Sequence, residues 1–260
     1  MTILDQLADH ARVRVAAAKE HVSLDEIKRL AMDAPKKGFA FEKALQGEDI
    51  AFICECKKAS PSKGLIAPDF PYLRIAKEYE GAGAEAISVL TEPKWFLGSE
   101  EYLREIAGAV WTPCLRKDFT VDEYMIYEAA TLGASAILLI CSITEKEDLK
   151  RYMKLCDELE LSALVEAHDE GEIKTALEIG ARVIGVNNRN LKDFTVDMDN
   201  ARRLRDLVPE GVVFVSESGV KDVTDVNVAR DMGADAVLVG EALMRAEDKN
   251  RKLLELRGKA

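Results

Sequence analysis

From residue 51 onward, short apolar runs rich in Val, Ile and Leu recur about every 20–30 residues. They are AFICECK (51–57), EAISVLT (85–91), TPCLRKD (112–118), SAILLIC (135–141), SALVEA (162–167), RVIGVNN (182–188), VVFVSES (212–218) and DAVLVGE (235–241), eight in all. Helical patterns such as EYMIYEAATLG and EGEIKTALEIG lie between most of them. Strands alternating with helices imply βαβ units and a parallel sheet. Several runs are apolar at consecutive positions, which suits strands buried on both faces. A second pattern overlies the first: Gly83-Ala84, Gly133-Ala134, Gly180-Ala181 and Gly233-Ala234 precede the second, fourth, sixth and eighth runs, about 50 residues apart. Glycine as a helix C-cap explains each pair locally but not the period. A unit of two βα pairs seen four times predicts an α/β fold of the closed (β/α)8 TIM barrel type. An open doubly wound sheet is the alternative.

Barrels of about 250 residues are single domains, so the 260 residues are expected to form one, 1–260, of which 1–48 is an N-terminal helical extension. Residues 3–20 can form an amphipathic helix, and a second begins at Ser23, with Ser23 and Glu26 at capping-box spacing. Residues 34–40 look like a connector. The longest connection, KASPSKGLIAPDFPY (58–72), follows the first strand and carries three of the seven prolines; long ordered loops are often functional.

Charge and composition narrow the partners. Lys+Arg is 36 against Asp+Glu 47, a net charge of −11, which argues against nucleic acid and anionic membranes because both need a basic face. Hydrophobic content of 48% with 32% charged residues excludes a mostly disordered chain. The longest apolar run, Ala134 to Cys141 broken only by Ser135, is far short of the roughly 20 residues that cross a bilayer. The N-terminus is charged throughout and has no export-signal core. The five cysteines are an odd number with no disulfide framework, so a reducing cytoplasm is expected.

In a barrel of this kind the active site forms at the carboxyl ends of the strands. Here those ends read Glu55-Cys56-Lys57, Arg116-Lys117-Asp118, Glu166, Asn187-Asn188-Arg189, Ser216-Glu217-Ser218-Gly219 and Gly240-Glu241. Residues two apart on a strand share a face, so Glu55 and Lys57 point the same way, and Lys117 and Glu166 would face each other across the mouth. That set offers donors and acceptors for multi-step general acid–base work; a structural ion-pair ring would look the same in sequence. Ser218-Gly219 and Gly240-Glu241 lie where many barrels hold a phosphate on backbone N–H groups, with 241–246 as a short helix. Cys54 and Cys56 lack metal-ligand spacing, and the EAHD string around His168 has no second set of ligands, so no metal is expected. No dinucleotide or P-loop fingerprint and no Ser-His-Asp arrangement occurs.

The strings ECKKASPSKG, LTEPKWFLGSEEYL, LRKDF, LVEAHDE, GVNNRNL, SESGV and LVGEALM resemble, in order, the signature segments of the indole-3-glycerol phosphate synthase family, from about residue 50 to 246. The resemblance implies a cofactor-free lyase of tryptophan biosynthesis, acting on the anionic phosphate substrate 1-(2-carboxyphenylamino)-1-deoxyribulose 5-phosphate. It implies that Lys117 is the general acid of ring closure. Lys57 would contact the substrate carboxylate and take part in proton transfer, and Glu166 would do acid–base work in dehydration. Which of Lys57 and Glu166 handles each later proton stays open. Glu55 and Asn187 would orient these groups. Ser60 and Ser218 would line the site, and Arg189 would lie near the substrate carboxylate. Gly219, Gly240 and Glu241 would cradle phosphate with help from Ser60 or Lys63, and Phe119 and Leu191 would form the apolar slot for the anthranilate ring. Glu241 stands where some relatives carry Ser, which leaves its backbone N–H as the phosphate contact. A monomer is expected, and association with other tryptophan-pathway enzymes stays open.

Other barrels fit less well. Phosphoribosylanthranilate isomerase would show a Cys and an Asp as its acid–base pair, and orotidine-phosphate decarboxylase a D-x-K-x-x-D string. A Schiff-base aldolase using Lys117 and a non-catalytic phosphate-ligand-binding barrel are the remaining alternatives.

Overall fold

Every one of the eight apolar runs becomes a strand, and the eight close on one another in parallel. The structure is a computed structural model that describes residues 2–190 and 194–259. Three helices come first: α1 (Ile3–His21), α2 (Leu24–Asp33) and α3 (Ala40–Ala44). The barrel then alternates β1 (Ala51–Cys56), a small hairpin of β2 (Ala59–Ser60) and β3 (Gly64–Leu65), α4 (Tyr72–Gly81), β4 (Ala86–Leu90), α5 (Glu100–Ala109) and β5 (Cys114–Lys117). It continues with α6 (Glu123–Thr131), β6 (Ala136–Ile140), α7 (Lys146–Leu159), β7 (Ser162–Ala167), α8 (Glu170–Glu178) and β8 (Val183–Asn187). It ends with α9 (Asp199–Arg205), β9 (Val213–Glu217), α10 (Val223–Asp231), β10 (Ala236–Val239), α11 (Glu241–Arg245) and α12 (Lys249–Leu256). β1 closes the ring on β10, with Ala51 opposite Ala236 and Cys54 opposite Val239.

The strands are apolar at consecutive positions because both faces are covered. One face looks into the barrel and the other onto the helix ring. Register then decides which side chains meet. Leu90 pairs with Lys117, Ile140 with Glu166, Glu166 with Gly185, and Asn187 with Glu217. Laterally paired residues share a face, so these line the interior at its carboxyl end. Cys54, Cys56, Cys114 and Arg116 alternate to the helix side. All five cysteines are free.

The Gly-Ala period has a local cause. After α4, α6, α8 and α10 the chain turns through a glycine at positive φ, as at Gly180 (φ +81°). The following alanine N–H bonds back to the helix. Ala84 reaches Tyr79 O, Ala134 reaches Ala129 O, Ala181 reaches Ala176 O and Ala234 reaches Ala229 O, each at 3.0 Å. This six-to-one bond is the Schellman stop, which needs a residue free to enter the left-handed region. The same stop feeds every second strand.

The helical extension is built into the barrel mouth. Thr2 and Asp5 form a full capping box at the start of α1, whereas Ser23 forms half of one, accepting from Glu26 N at 3.3 Å. The connector predicted over 34–40 is shorter, because Ala40 already begins α3 behind Phe39 in the left-handed region. From α1, Arg14 makes a two-pronged pair with the wholly buried Asp118, at 3.0 and 2.6 Å. Asp118 also accepts from Thr91 Oγ1 at 2.6 Å and Phe119 N at 2.8 Å. His10 Nδ1 lies 3.2 Å from Glu92, whose buried carboxylate collects the N–H groups of Lys94, Trp95 and Phe96. Helix α1 therefore clamps the connections that follow β4 and β5. No described helix is long and apolar enough to cross a membrane.

Removing Arg14 leaves Asp118 buried without its main cation, a change that costs about 3 kcal/mol. Arg14→Ala is expected to lower the unfolding free energy by that amount in urea titration. Adding Asp118→Asn should recover part of the loss, since the stranded charge is then gone.

Candidate active site

Side chains from all eight barrel strands converge on one cavity of about 720 Å³. At its centre is Lys117, the last residue of β5. Its Nζ donates to Glu166 Oε2 at 3.3 Å and lies 3.6 Å from Glu217 Oε2. Glu55 and Lys57, two apart at the end of β1, form an ion pair, and Ser88 Oγ donates to the other Glu55 oxygen at 3.4 Å. Asn187 orders the far wall. Its Nδ2 donates to Glu166 Oε1 at 3.3 Å, while its Oδ1 accepts from Ser218 Oγ at 2.9 Å and Arg189 N at 3.0 Å. The glutamates need room, and Gly185 supplies it: a Cβ there would collide with the Glu217 carboxylate and come within 3.1 Å of Leu164.

Burial sets the electrostatics. An isolated ion in such a place would shed its charge. Burial works to lower the Lys117 ammonium, but Glu166, Glu217 and Glu55 overcome it and hold the group above its ordinary value. Burial works to raise Glu166, but Lys117, His168 and Asn187 outweigh it and keep the carboxyl well below the usual range. Glu217 has fewer partners. Burial lifts it to about 7, aided by Glu166 and Glu55 against the opposing pulls of Lys117 and His168. His168 sits between Glu166 Oε1 at 3.3 Å and Glu172 Oε2 at 3.1 Å. Burial disfavours its charge, yet the two carboxylates raise it to about 10. The site thus holds a permanent ammonium flanked by one ionised carboxylate and one that titrates near neutrality. That is a proton donor and acceptor set within one hydrogen-bond shell.

Most of the sequence-predicted residues meet here. Glu55, Lys57, Lys117, Glu166, Asn187 and Ser218 all border the cavity, as do Ser60, Lys63, Phe119, Arg189, Gly219, Gly240 and Glu241. Leu191 lies outside the described residues. The β2–β3 hairpin folds part of the 58–72 connection over the mouth, with Ala59 N bonded to Phe96 O at 3.2 Å. Phe119 packs against Phe96, their ring centres 6.1 Å apart. With Leu90, Leu138 and Ile140 they make an apolar wall. Gly240 is where Glu55 and Lys57 press against the backbone, and α11 starts one residue later. The Glu241 side chain pairs with Arg245 at 3.0 Å and Lys63 at 3.5 Å, so it neutralises part of a rim that also carries Lys221 and Lys252. The Arg189 guanidinium donates to Phe194 O at 3.1 Å.

Three features escaped the sequence reading. Glu217 stands at a strand end in the sequence, next to the Ser218 that the family resemblance singles out. The two-residue alternation Val213, Val215, Glu217 is the signal that points it inward. His168 was weighed only as a metal ligand; among the described residues no group of three or more His, Cys, Asp or Glu could hold a metal ion. Ile3 and Leu7 of α1 reach the cavity wall, a long-range contact that no local pattern encodes.

The family model for indole-3-glycerol phosphate synthase matches residues 4–256. The chain belongs to that family. Its membership makes it an enzyme, a carboxy-lyase of tryptophan biosynthesis. The indole-3-glycerol phosphate synthase of Ruminiclostridium cellulolyticum is 54% identical over 259 residues, covering 99% of this chain and 100% of that one. The Endomicrobium trichonymphae protein of the same name is 51% identical over 256 residues, covering 98% and 99%. Among solved structures, 3-hexulose-6-phosphate synthase from Salmonella typhimurium shares the fold at a TM-score of 0.65 and 14% identity, over 80% of this chain and 97% of that one. Thiamine phosphate pyrophosphorylase from Pyrococcus furiosus does so at 0.61 and 17%, over 84% and 96%.

The Glu217 value has a consequence for stability. Its pKa in the folded state is raised above the ordinary 4.5, so the folded protein binds more protons than the unfolded chain between pH 4.5 and about 7. The stabilisation is complete below 4.5 and is lost as pH rises through 7. The difference in unfolding free energy between wild type and Glu217→Gln is expected to change by on the order of 3 kcal/mol from pH 5 to 8, with the wild type losing ground. Parallel stability curves would show that Glu217 is ionised throughout.

Proposed function

We propose that this cavity converts 1-(2-carboxyphenylamino)-1-deoxyribulose 5-phosphate to indole-3-glycerol phosphate, with Lys117 as the acid of ring closure. The observation that carries the reading is the Lys117 ammonium held between Glu166 and Glu217, 3.3 and 3.6 Å away, beside an apolar wall and below a cationic rim. The anthranilate ring fits the wall of Phe96, Phe119, Leu138 and Ile140. The phosphate fits the rim, where Ser218-Gly219 and Gly240-Glu241 offer backbone N–H groups and Lys63 lies close. A positive rim on a chain of net charge −11 draws a polyanionic substrate to this one place.

Ring closure joins the carboxylate-bearing carbon of the anthranilate ring to the ketone carbon. The carbonyl π pair moves to oxygen, which takes a proton from Lys117. The ring nitrogen becomes an iminium and accepts the electrons of the carbon–carboxyl bond as CO2 leaves, so this step needs no added electron sink. Lys57, paired with Glu55, meets the carboxylate, and Arg189 borders the same cavity from the end of β8. In dehydration the new hydroxyl departs with the C–O pair and a proton as water. The neighbouring CH2 gives a proton to a base, and the C=C of the indole forms. Glu166, ionised at rest and fixed by Asn187, is that base, and Lys57 shares the proton transfers. Because Lys117 stays an ammonium, it is an acid here and not a Schiff-base nucleophile. The hairpin-bearing connection over the mouth limits water during the sequence.

The decisive test is to add the carboxyphenylamino-deoxyribulose phosphate and follow indole fluorescence; folded protein with no signal would refute the reading. Lys117→Ala should lower turnover by about 10²–10⁴-fold, the range of a lost general acid, with an unchanged circular dichroism spectrum. Glu166→Gln should lower kcat far more than it changes KM. A near-normal kcat in either variant would remove that residue from the chemistry.

A further inference from the structure

Two carboxylates flank the Lys117 ammonium at similar distances, and pairing with the lysine alone leaves them nearly equivalent. Their second oxygens differ. Glu166 Oε1 has Asn187 Nδ2 at 3.3 Å and His168 Nε2 at 3.3 Å. Glu217 Oε1 is buried and has no hydrogen-bond partner among the described residues. His168 is itself held in place. Glu172 Oε2 takes its backbone N–H at 2.8 Å and faces its Nδ1 at 3.1 Å, and its carbonyl accepts from Asn200 at 3.3 Å. A ring set between two carboxylates is stabilised as the imidazolium: Nδ1 lies at hydrogen-bond distance from Glu172, and Nε2 is 3.3 Å from Glu166 Oε1 as an ion pair, without hydrogen-bond alignment.

We propose that His168 is a positioning residue that breaks the symmetry of the pair around Lys117, holding Glu166 as the carboxylate and leaving the resting proton to Glu217. The groups facing the pair come from every wall of the mouth. They are Lys117 from β5, Glu55 and Lys57 from β1 and its end, and Cys141 from the turn after β6; Glu172 and Asp169 face His168 from the start of α8. The two cations nearest Glu166 are Lys117 and His168, and Lys117 serves both carboxylates. His168 makes a close pair with Glu166 alone, although its charge also reaches Glu217. Its loss removes a positive charge from beside Glu166, so the shared proton moves toward Glu166. A protonated Glu166 is no base for the CH2 proton. The catalytic consequence rests on the proposed function; the proton assignment does not.

The test uses protein labelled with ¹³C at the glutamate carboxyl carbon, the two signals being assigned from Glu166→Gln and Glu217→Gln. In the wild type, Glu217 should titrate near neutrality and Glu166 should stay ionised from pH 5 to 8. In His168→Gln, Glu166 should begin to titrate in that window, and its midpoint should shift by more than that of Glu217, which feels the imidazolium charge without a close pair. In the fluorescence assay at pH 7, kcat should fall about tenfold while KM stays within about twofold, as for a base present in the wrong protonation state. Glu172→Gln withdraws the support of the imidazolium from the other side. It should move both signals in the same direction by less, and it answers the question if His168→Gln fails to fold. Unchanged Glu166 and Glu217 titrations in the folded variants would overturn the proposal. A wild type that titrates as described but yields no indole would refute the functional reading alone.

Discussion

Everything at the mouth follows from placing one ammonium where water is scarce. Removing an ion from water costs several kcal/mol, and only close partners of opposite charge offset it. Lys117 meets that demand with Glu166 and Glu217, and each of those then needs a partner of its own. Glu166 finds Asn187 and His168, and Asn187 in turn fixes Ser218 and the backbone of Arg189. Glu217 is left with an unmatched oxygen and answers by keeping its proton up to about pH 7. The chemistry of the site is this uneven sharing of partners. A single donor has an ionised neighbour on one side and a protonated one on the other.

The same logic operates on the helix side of the barrel with a different outcome. Arg116 is fully buried against Glu128 at 2.7 Å and Glu100 at 3.0 Å, and it lies 3.9 Å from Asp118, which Arg14 grips from the extension. Arg116 and Lys117 are neighbours on one strand and point to opposite faces. The outward charge network fastens α1 and α6 to β5, and the inward one faces the cavity. The extension is therefore a structural part of the mouth. It holds β5 from outside while Ile3 and Leu7 complete the cavity wall.

Much of this was legible before any coordinates. The eight runs became the eight barrel strands because a strand buried on both faces must be apolar throughout, a signal that does not depend on context. The Gly-Ala period marked a backbone conformation that glycine enters most readily. Polar residues at the carboxyl ends of such strands stood out for the same reason, as at Glu55, Lys117 and Glu166. The β2–β3 hairpin and the early start of α3 were missed, since two-residue strands and a five-residue helix carry too few residues to show a period. Glu217 was visible and undervalued, because whether a strand-end carboxylate looks inward depends on register with Asn187 and Leu238.

The sequence by itself determined the barrel, the strand ends that line the cavity, and the family, because each rests on short-range patterns of burial, backbone conformation and residue order. Tertiary structure alone decided the protonation states. The distances of 3.3 and 3.6 Å around Lys117, the space that Gly185 leaves for Glu217, and the reach of His168 to Glu166 all join residues from different strands. A carboxylate's charge is set by what surrounds it in space, and chain order does not carry that information.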